Sequence, residues 1–276
     1  MSTPNTDVAE FSDVDRADQP QTLIGYLELA KAPAGWRGAK QDGLTALRLR
    51  PGDVVLDAGC GYGADAVEIA RHVGPNGAVI GLDLSEAMIA EGNRRGQGLN
   101  LNVEFRVGDA RDLPFPDATF DACRAETLLQ HVPRPHLAVG EMVRVLKPGG
   151  RIALLDMDLG TAVIDSNDIP TTRQVLDWFA GSTLNGWIGR QLPRLLKDAG
   201  LDSVEVAERF IESGFQFIKQ MLHSTSKHAL DSGQLSGLTH SGLSGWWCDL
   251  AEADRAERFF GGATAFIASG TKPHRP

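Results

Sequence analysis

The sequence predicts an α/β fold: a mostly parallel β-sheet with helices on both faces. Three observations predict it. Short apolar runs alternate with helical stretches from Val54 to Leu155, which is the pattern of βαβ units. A glycine-rich turn, Gly59-Cys60-Gly61-Tyr62-Gly63, separates the first apolar run from the first following helix. Four acids, Asp57, Asp83, Asp109 and Glu126, close or directly follow four successive runs. Right-handed crossovers place helices on both sides of such a sheet. Ligands of open α/β sheets bind beyond the carboxyl ends of the strands, where these four acids fall.

Each element follows from local signals. Residues 1–20 are polar and read as a loose tail. Gln21 to Leu49 suggests helices interrupted near Pro33-Ala34-Gly35. Arg50-Pro51-Gly52-Asp53 is a turn, and Val54-Val55-Leu56 opens a strand ending at Asp57. Ala64 to Val73 reads as a helix, Gly74-Pro75-Asn76-Gly77 as a turn, and Ala78 to Leu82 as the second strand. Ser85 suits an N-cap, with Glu86 in the first turn, for a helix to about Arg95. Val103 to Val107 and Phe120 to Ala125 are the third and fourth strands. Pro135 to Leu146 is a helix stopped by Lys147-Pro148-Gly149-Gly150, and Arg151 to Leu155 is the fifth strand. Residues 160–198 look helical, Val204 to Ile211 strand-like, and 215–260 helical with a Ser/Gly-rich break near 231–245. Ala263 to Gly270 completes seven strands. The expected organisation is a tail and helical cap over 1–50, a ligand-binding core over 51–158, and substrate-side helices with the last two strands of the same sheet over 159–276.

Composition narrows the class. The 276 residues suffice for one sizeable α/β domain. The net charge is −9, and the Lys and Arg residues are scattered, which argues against a nucleic-acid partner. Cys60, Cys123 and Cys248 are widely spaced, with no CxxC, so neither a disulfide framework nor a metal site is expected. No apolar stretch is long enough to span a membrane, and the polar opening segment carries no signal-peptide core. The expected setting is cytoplasmic and reducing, with no membrane partner and a monomer or homodimer.

The glycine turn admits two kinds of ligand. A dinucleotide would set its pyrophosphate on the helix N-terminus, and Asp57 just before the turn would repel it. S-adenosylmethionine has no phosphate and carries a sulfonium and an ammonium, which nearby carboxylates favour. Asp57 therefore points to the sulfonium ligand, although it also suits a cap on the turn's amides. Asp83 can accept the hydroxyls of a ribose, which both ligands contain. Asp109 and Ala110 can meet an adenine edge, and Asp109 equally suits a surface loop.

These motifs resemble the methyltransferase type 11 family of class I S-adenosylmethionine-dependent enzymes. The resemblance rests on Val54-Val55-Leu56-Asp57-Ala58-Gly59-Cys60-Gly61-Tyr62-Gly63, Gly81-Leu82-Asp83-Leu84-Ser85 and Gly108-Asp109-Ala110. It continues through Leu113-Pro114-Phe115-Pro116-Asp117, Phe120-Asp121, His131-Val132-Pro133, and Glu141-Met142-Val143-Arg144-Val145-Leu146-Lys147-Pro148-Gly149-Gly150. It implies a Rossmann-like fold with a seven-stranded sheet and a helical lid. It also implies S-adenosyl-L-methionine as cofactor, with S-adenosyl-L-homocysteine as product. The turn glycines Gly59, Gly61 and Gly63, with Asp57, would then sit at the cofactor. Asp83 would bind ribose, with Leu84 and Met88 flanking the adenine and Asp109 and Ala110 at its edge. Glu126 and Thr127 would line the methionine side, and an N-terminal helix around Tyr26 to Trp36 would close the site.

The implied reaction is methyl transfer to a C, O or N atom of a small metabolite, of secondary metabolism or quinone-like. Carbon and oxygen nucleophiles must lose a proton, so bases matter. His131 is the catalytic candidate, since it follows the fourth strand; a capping role fits it too. Glu126, His223 and His228 are further candidates, the two histidines also reading as surface residues. Cys123-Arg124-Ala125-Glu126 lacks the Asn/Asp-Pro-Pro-Tyr pattern of enzymes that methylate amines of nucleic-acid bases. All five tryptophans (Trp36, Trp178, Trp187, Trp246, Trp247) lie outside 51–158, as an apolar substrate pocket or as the core of the added helices. Arg173, Arg190 and Arg194 could meet a substrate carboxylate or simply face solvent. The competing readings are a dinucleotide oxidoreductase, which would want an apolar residue at position 57, and a methyltransferase fold turned to other cofactor chemistry or to a non-catalytic role.

Overall fold

The computed structural model describes residues 34–274. Helix α1 (Ala34–Leu47) leads into β1 (Val54–Ala58), α2 (Ala64–Val73), β2 (Ala78–Asp83), α3 (Glu86–Gly96) and β3 (Val103–Val107). Then come β4 (Phe120–Glu126), a 3-10 turn (Leu129–His131), α4 (Pro135–Val145) and β5 (Leu146–Ile164). The chain continues through α5 (Ile169–Ser182), α6 (Ile188–Asp198), β6 (Asp202–Glu212), α7 (Phe215–Asp231), α8 (His240–Arg255) and β7 (Gly261–Thr271). The expected closing helix at Tyr26–Trp36 lies, before Ala34, outside the described residues.

The seven strands form one sheet in the order β3-β2-β1-β4-β5-β7-β6. Strands β1 to β5 pair in parallel, and β7 runs antiparallel between β5 and β6. The order reverses beside β1, so a crevice opens between the ends of β1 and β4. Alternation along β1 sends Val55 to one face and Leu56 to the other. One face packs Leu56, Phe120 and Ile152 under α4 and α6. The other packs Val55, Val79 and Phe105 under α2 and α3. A separate cluster joins α5, α7 and α8 through Phe179, Phe215, Trp246 and Trp247.

The local signals hold where short-range geometry decides. The turn at 50–53 closes with Arg50 N–H donating to the Asp53 carboxylate at 2.9 Å. Ser85 caps α3, its hydroxyl accepting from Met88 N–H at 3.1 Å. One expectation fails: β5 is far longer than Arg151–Leu155 and absorbs Lys147-Pro148-Gly149-Gly150 and residues 160–164, expected as a turn and as helix. Its partner extends it. β5 pairs with β7 from Arg151↔Thr271 to Asp158↔Thr264 and resumes at Val163↔Gly262 after a register shift. Antiparallel pairing with a strand about a hundred residues away carries no local signature. Among the described residues, no helix is long and apolar enough to cross a membrane.

Candidate active site

A cavity of about 650 Å³ opens at the carboxyl ends of β1, β2 and β4 and runs under α5 and α7. The glycine-rich turn forms one wall. Gly59 and Gly61 hold φ of +70° and +53°, left-handed values that glycine adopts without strain. A Cβ on Gly59 would sit 2.7 Å from Leu128 Cδ1, whereas one on Gly61 would meet nothing within 4 Å. Gly61 N–H donates to Asp83 Oδ2 at 2.8 Å, and Ser85 N–H to Asp83 Oδ1 at 3.0 Å. Asp83 thus ties the turn to the end of β2.

Gly63 departs from its expected place. It does not line the cavity. Its φ is +78° at the N-cap of α2, and a Cβ there would lie 2.2 Å from the Phe105 ring. This glycine lets helix and sheet approach closely. The other sequence-predicted residues, Asp57, Gly59, Gly61, Asp83, Leu84, Met88, Asp109, Ala110, Glu126, Thr127 and His131, all line the cavity.

The charge at the turn is organised around Arg124. Register pairs Asp57 on β1 with Arg124 on β4. Arg124 Nη1 lies 3.2 Å from Asp57 and 3.3 Å from Asp65, while Nη2 bonds Glu126. Burial would lower the Arg124 pKa, but the fields of Asp57, Asp65 and Glu126 outweigh it and raise the value. From α1, Lys40 pairs with Asp65 at 2.5 Å and reaches Glu126 at 3.6 Å, and the Trp36 indole donates to Glu126 at 3.3 Å. Among the described residues, three carboxylates meet two cations here. Nearby Cys60 is a neutral thiol, its pKa pushed up by burial and then by Asp57 and Asp83.

Thr127 follows Glu126 with φ +50°. That value is an outlier for a β-branched residue; its N–H donates to Leu155 O at 2.7 Å. Asp109 forms a bidentate pair with Arg111, and hydrogen bonding to that guanidinium lowers its pKa.

His131 ends the 3-10 turn after β4. Burial pushes its pKa down to about 4, so the imidazole is neutral at pH 7 and a weak base. Its Nε2 lies 3.0 Å from Gln130 Nε2. The turn is held from behind: Leu129 N–H donates to Asp156 Oδ2 at 3.0 Å, and Asn185 donates to Leu129 O and Val132 O, each at 2.8 Å.

Other candidates sit elsewhere. His223 and His228 are exposed on α7 and do not line the cavity. Arg190 pairs with buried Asp158, while Arg173 and Arg194 are exposed and off the cavity. Of the tryptophans, Trp36 alone lines the cavity; Trp178, Trp246 and Trp247 pack in the helical cluster. Sequence reasoning missed Arg124, Asp65 and Lys40, and named Trp36 only within the closing helix and among the pocket tryptophans. Arg124 carried a signal: a charge set among Ala122, Cys123 and Ala125 of a central strand wants a buried partner.

The chain matches the family described as Methyltransferase domain over residues 55–150. It is 32% identical, over 233 residues, to the demethylmenaquinone methyltransferase of Listeria monocytogenes serotype 4b, covering 78% of this chain and 89% of that one. The chain belongs to the class I S-adenosylmethionine-dependent methyltransferases. A Streptomyces fradiae relative, an uncharacterized 37.1 kDa protein in transposon TN4556, is 40% identical over 181 residues. That match covers 64% of this methyltransferase and 51% of the relative, so the chain spans about half the relative's length. The fold is shared with the YcgJ protein of Bacillus subtilis, with a TM-score of 0.62 at 19% identity, over 87% of this chain and all (100%) of that one. S-adenosylmethionine is the cofactor of this family, and the site's chemistry fits it. Buried carboxylates suit a cation, and the open space at Gly61 admits a ligand where a side chain would stand.

Proposed function

We propose that this methyltransferase moves a methyl group to a C, O or N atom of a small apolar or aromatic metabolite. One observation carries the reading: charge is confined to one end of the cavity. Among the described residues, every charged lining residue lies between Asp57 and His131 in the chain. Beyond Pro133 the described lining is Met157, Leu159, Phe179, Phe217, Met221 and similar side chains, with Thr183 and Ser213 as its polar side-chain groups. A charged substrate would stay uncompensated in that lobe, at a cost of several kcal/mol, on the order of 2–7 for even a neutral unpaired group. An apolar ring gains there by burial. The Listeria relative is named for demethylmenaquinone, an acceptor of this character.

Within this reading Asp83 holds the ribose, with Leu84 and Met88 flanking the adenine and Asp109 with Ala110 at its edge. Asp57, Gly59, Gly61, Glu126 and Thr127 face the methionine part. Bound cofactor supplies an electrophilic methyl carbon on a sulfonium. The chain contributes orientation and a dry cavity. His131, neutral at rest, orients an acceptor hydroxyl or amine by hydrogen bonding and takes a proton only as charge moves off the acceptor. The free thiols Cys60, Cys123 and Cys248 suit a reducing, cytoplasmic setting.

The test is S-adenosylhomocysteine release from purified protein with a panel of acceptors. Demethylated quinols and plant-type phenols should turn over; phosphoethanolamine and glycine should not. Turnover confined to the zwitterions would sink the assignment of the apolar lobe.

A further inference from the structure

A second concavity, of about 320 Å³, lies between α7 and α8, apart from the cavity described above. Its size falls at the lower end for small-molecule sites. Lys219, His223 and Lys227 line it from α7 at i, i+4 and i+8, and so share one face of that helix. His240, Ser244 and Cys248 line it from α8 at the same spacing. Phe215, Leu243 and Trp247 are buried beneath them. Among the described residues no Asp or Glu lines it, in a chain whose net charge is −9. At the rim Asp231, itself exposed, lies 3.5 Å from His240.

Two further facts describe the groove's polarity. The His223 pKa is lowered, first by burial and then by the charges of Lys219 and Lys227, so both ammonium groups act on the imidazole across this face of α7. The Trp247 indole N–H is buried and meets no acceptor among the described residues, and its ring lies edge-on to His223 with centroids 5.2 Å apart, so the apolar floor and the basic face adjoin.

We propose that this groove binds an amphiphilic anion, with a carboxylate or phosphate head between Lys219, His223 and Lys227 and an apolar body over Phe215, Leu243 and Trp247. The site is separate from the methyl-transfer cavity, but the two share a wall. The other side of α7 presents Phe217, Ile218, Met221 and Leu222 to the acceptor lobe. An occupant of the groove therefore bears on the helix that shapes that lobe.

Calorimetric titration of the full chain with decyl phosphate tests this without turnover. Decyl phosphate should bind more tightly than inorganic phosphate or decanol. The K219A/K227A double variant, altered only at exposed positions, should weaken it by about tenfold or more with an unchanged circular dichroism spectrum. The His223 ring resonance, followed by NMR, should titrate at higher pH with decyl phosphate present. Equal affinity in the double variant, equal binding of either control, or no binding at all overturns the site. Phosphatidylglycerol vesicles that sediment the wild type but not the double variant identify a lipid headgroup as the source. Vesicles that leave both in solution while decyl phosphate binds identify a soluble metabolite.

Discussion

Arg124 Nη1 stands 3.2 Å from Asp57 Oδ1, with both residues buried at the head of the glycine-rich turn. They are register partners on adjacent strands, and Asp65 and Glu126 complete the cluster. Removing one member of a buried ion cluster leaves uncompensated charge. Arg124→Ala should therefore destabilise the protein by about 3–5 kcal/mol. Urea unfolding measures this, and a loss under about 1 kcal/mol would show that water already screens the cluster.

Asp83 accepts from two backbone N–H groups as well as facing the cavity. Asp83→Asn preserves shape while removing the charge. Affinity for S-adenosylhomocysteine should fall by about 10- to 100-fold, the worth of a charge-assisted hydrogen bond. Calorimetry with unchanged affinity would overturn the ribose role.

Gly61 and Gly63 should separate. Gly63→Ala drives a Cβ to 2.2 Å from the Phe105 ring and should cost about 1–3 kcal/mol of stability or more. Gly61→Ala meets no neighbour, so only left-handed strain of about 1 kcal/mol applies, while cofactor affinity drops. Melting and titration of both variants check this; equal melting temperatures would refute the packing role of Gly63.

Asp156 is fully buried, with Oδ2 holding Leu129 N–H and Oδ1 without a partner among the described residues. Burial raises its pKa from 3.8 to about 8, against the pull of the Leu129 and Gln130 amides. The folded state then binds a proton that the unfolded state has lost, so this group's contribution is full below pH 3.8 and declines as pH rises toward 8. Asp156→Asn removes the dependence. Its stability relative to wild type should increase steadily from pH 4 to 8; a constant difference would contradict the raised pKa.

His131 has its pKa lowered to about 4 by burial. It is already neutral through the range where an ordinary imidazole titrates. The kcat/KM profile should carry no limb near pH 6.5 that depends on it. A limb there that vanishes in His131→Asn would restore His131 as a base of ordinary strength. The same shift makes stability fall with acid: between pH 6.5 and 4 the unfolded chain takes up the proton first.

Much of this protein is readable from neighbouring residues alone. The order of strands and helices through α4, the Ser85 cap and the placing of Asp57, Asp83 and Asp109 at strand ends follow from apolar period and turn chemistry, which act over a few residues. The partners of those acids do not. Trp36 reaches Glu126 across 90 residues of chain, and Arg124 meets Asp57 across 67. The extension of β5 to Ile164 comes from β7, and the burial of Trp246 and Trp247 from the packing of α5, α7 and α8. Pairing and burial depend on which segments the fold brings together, and no local pattern encodes a neighbour so distant in the chain. The sequence thus determined the glycine-turn end of the cavity, and the tertiary structure alone decided the ion pairs around it and the apolar lobe beyond it.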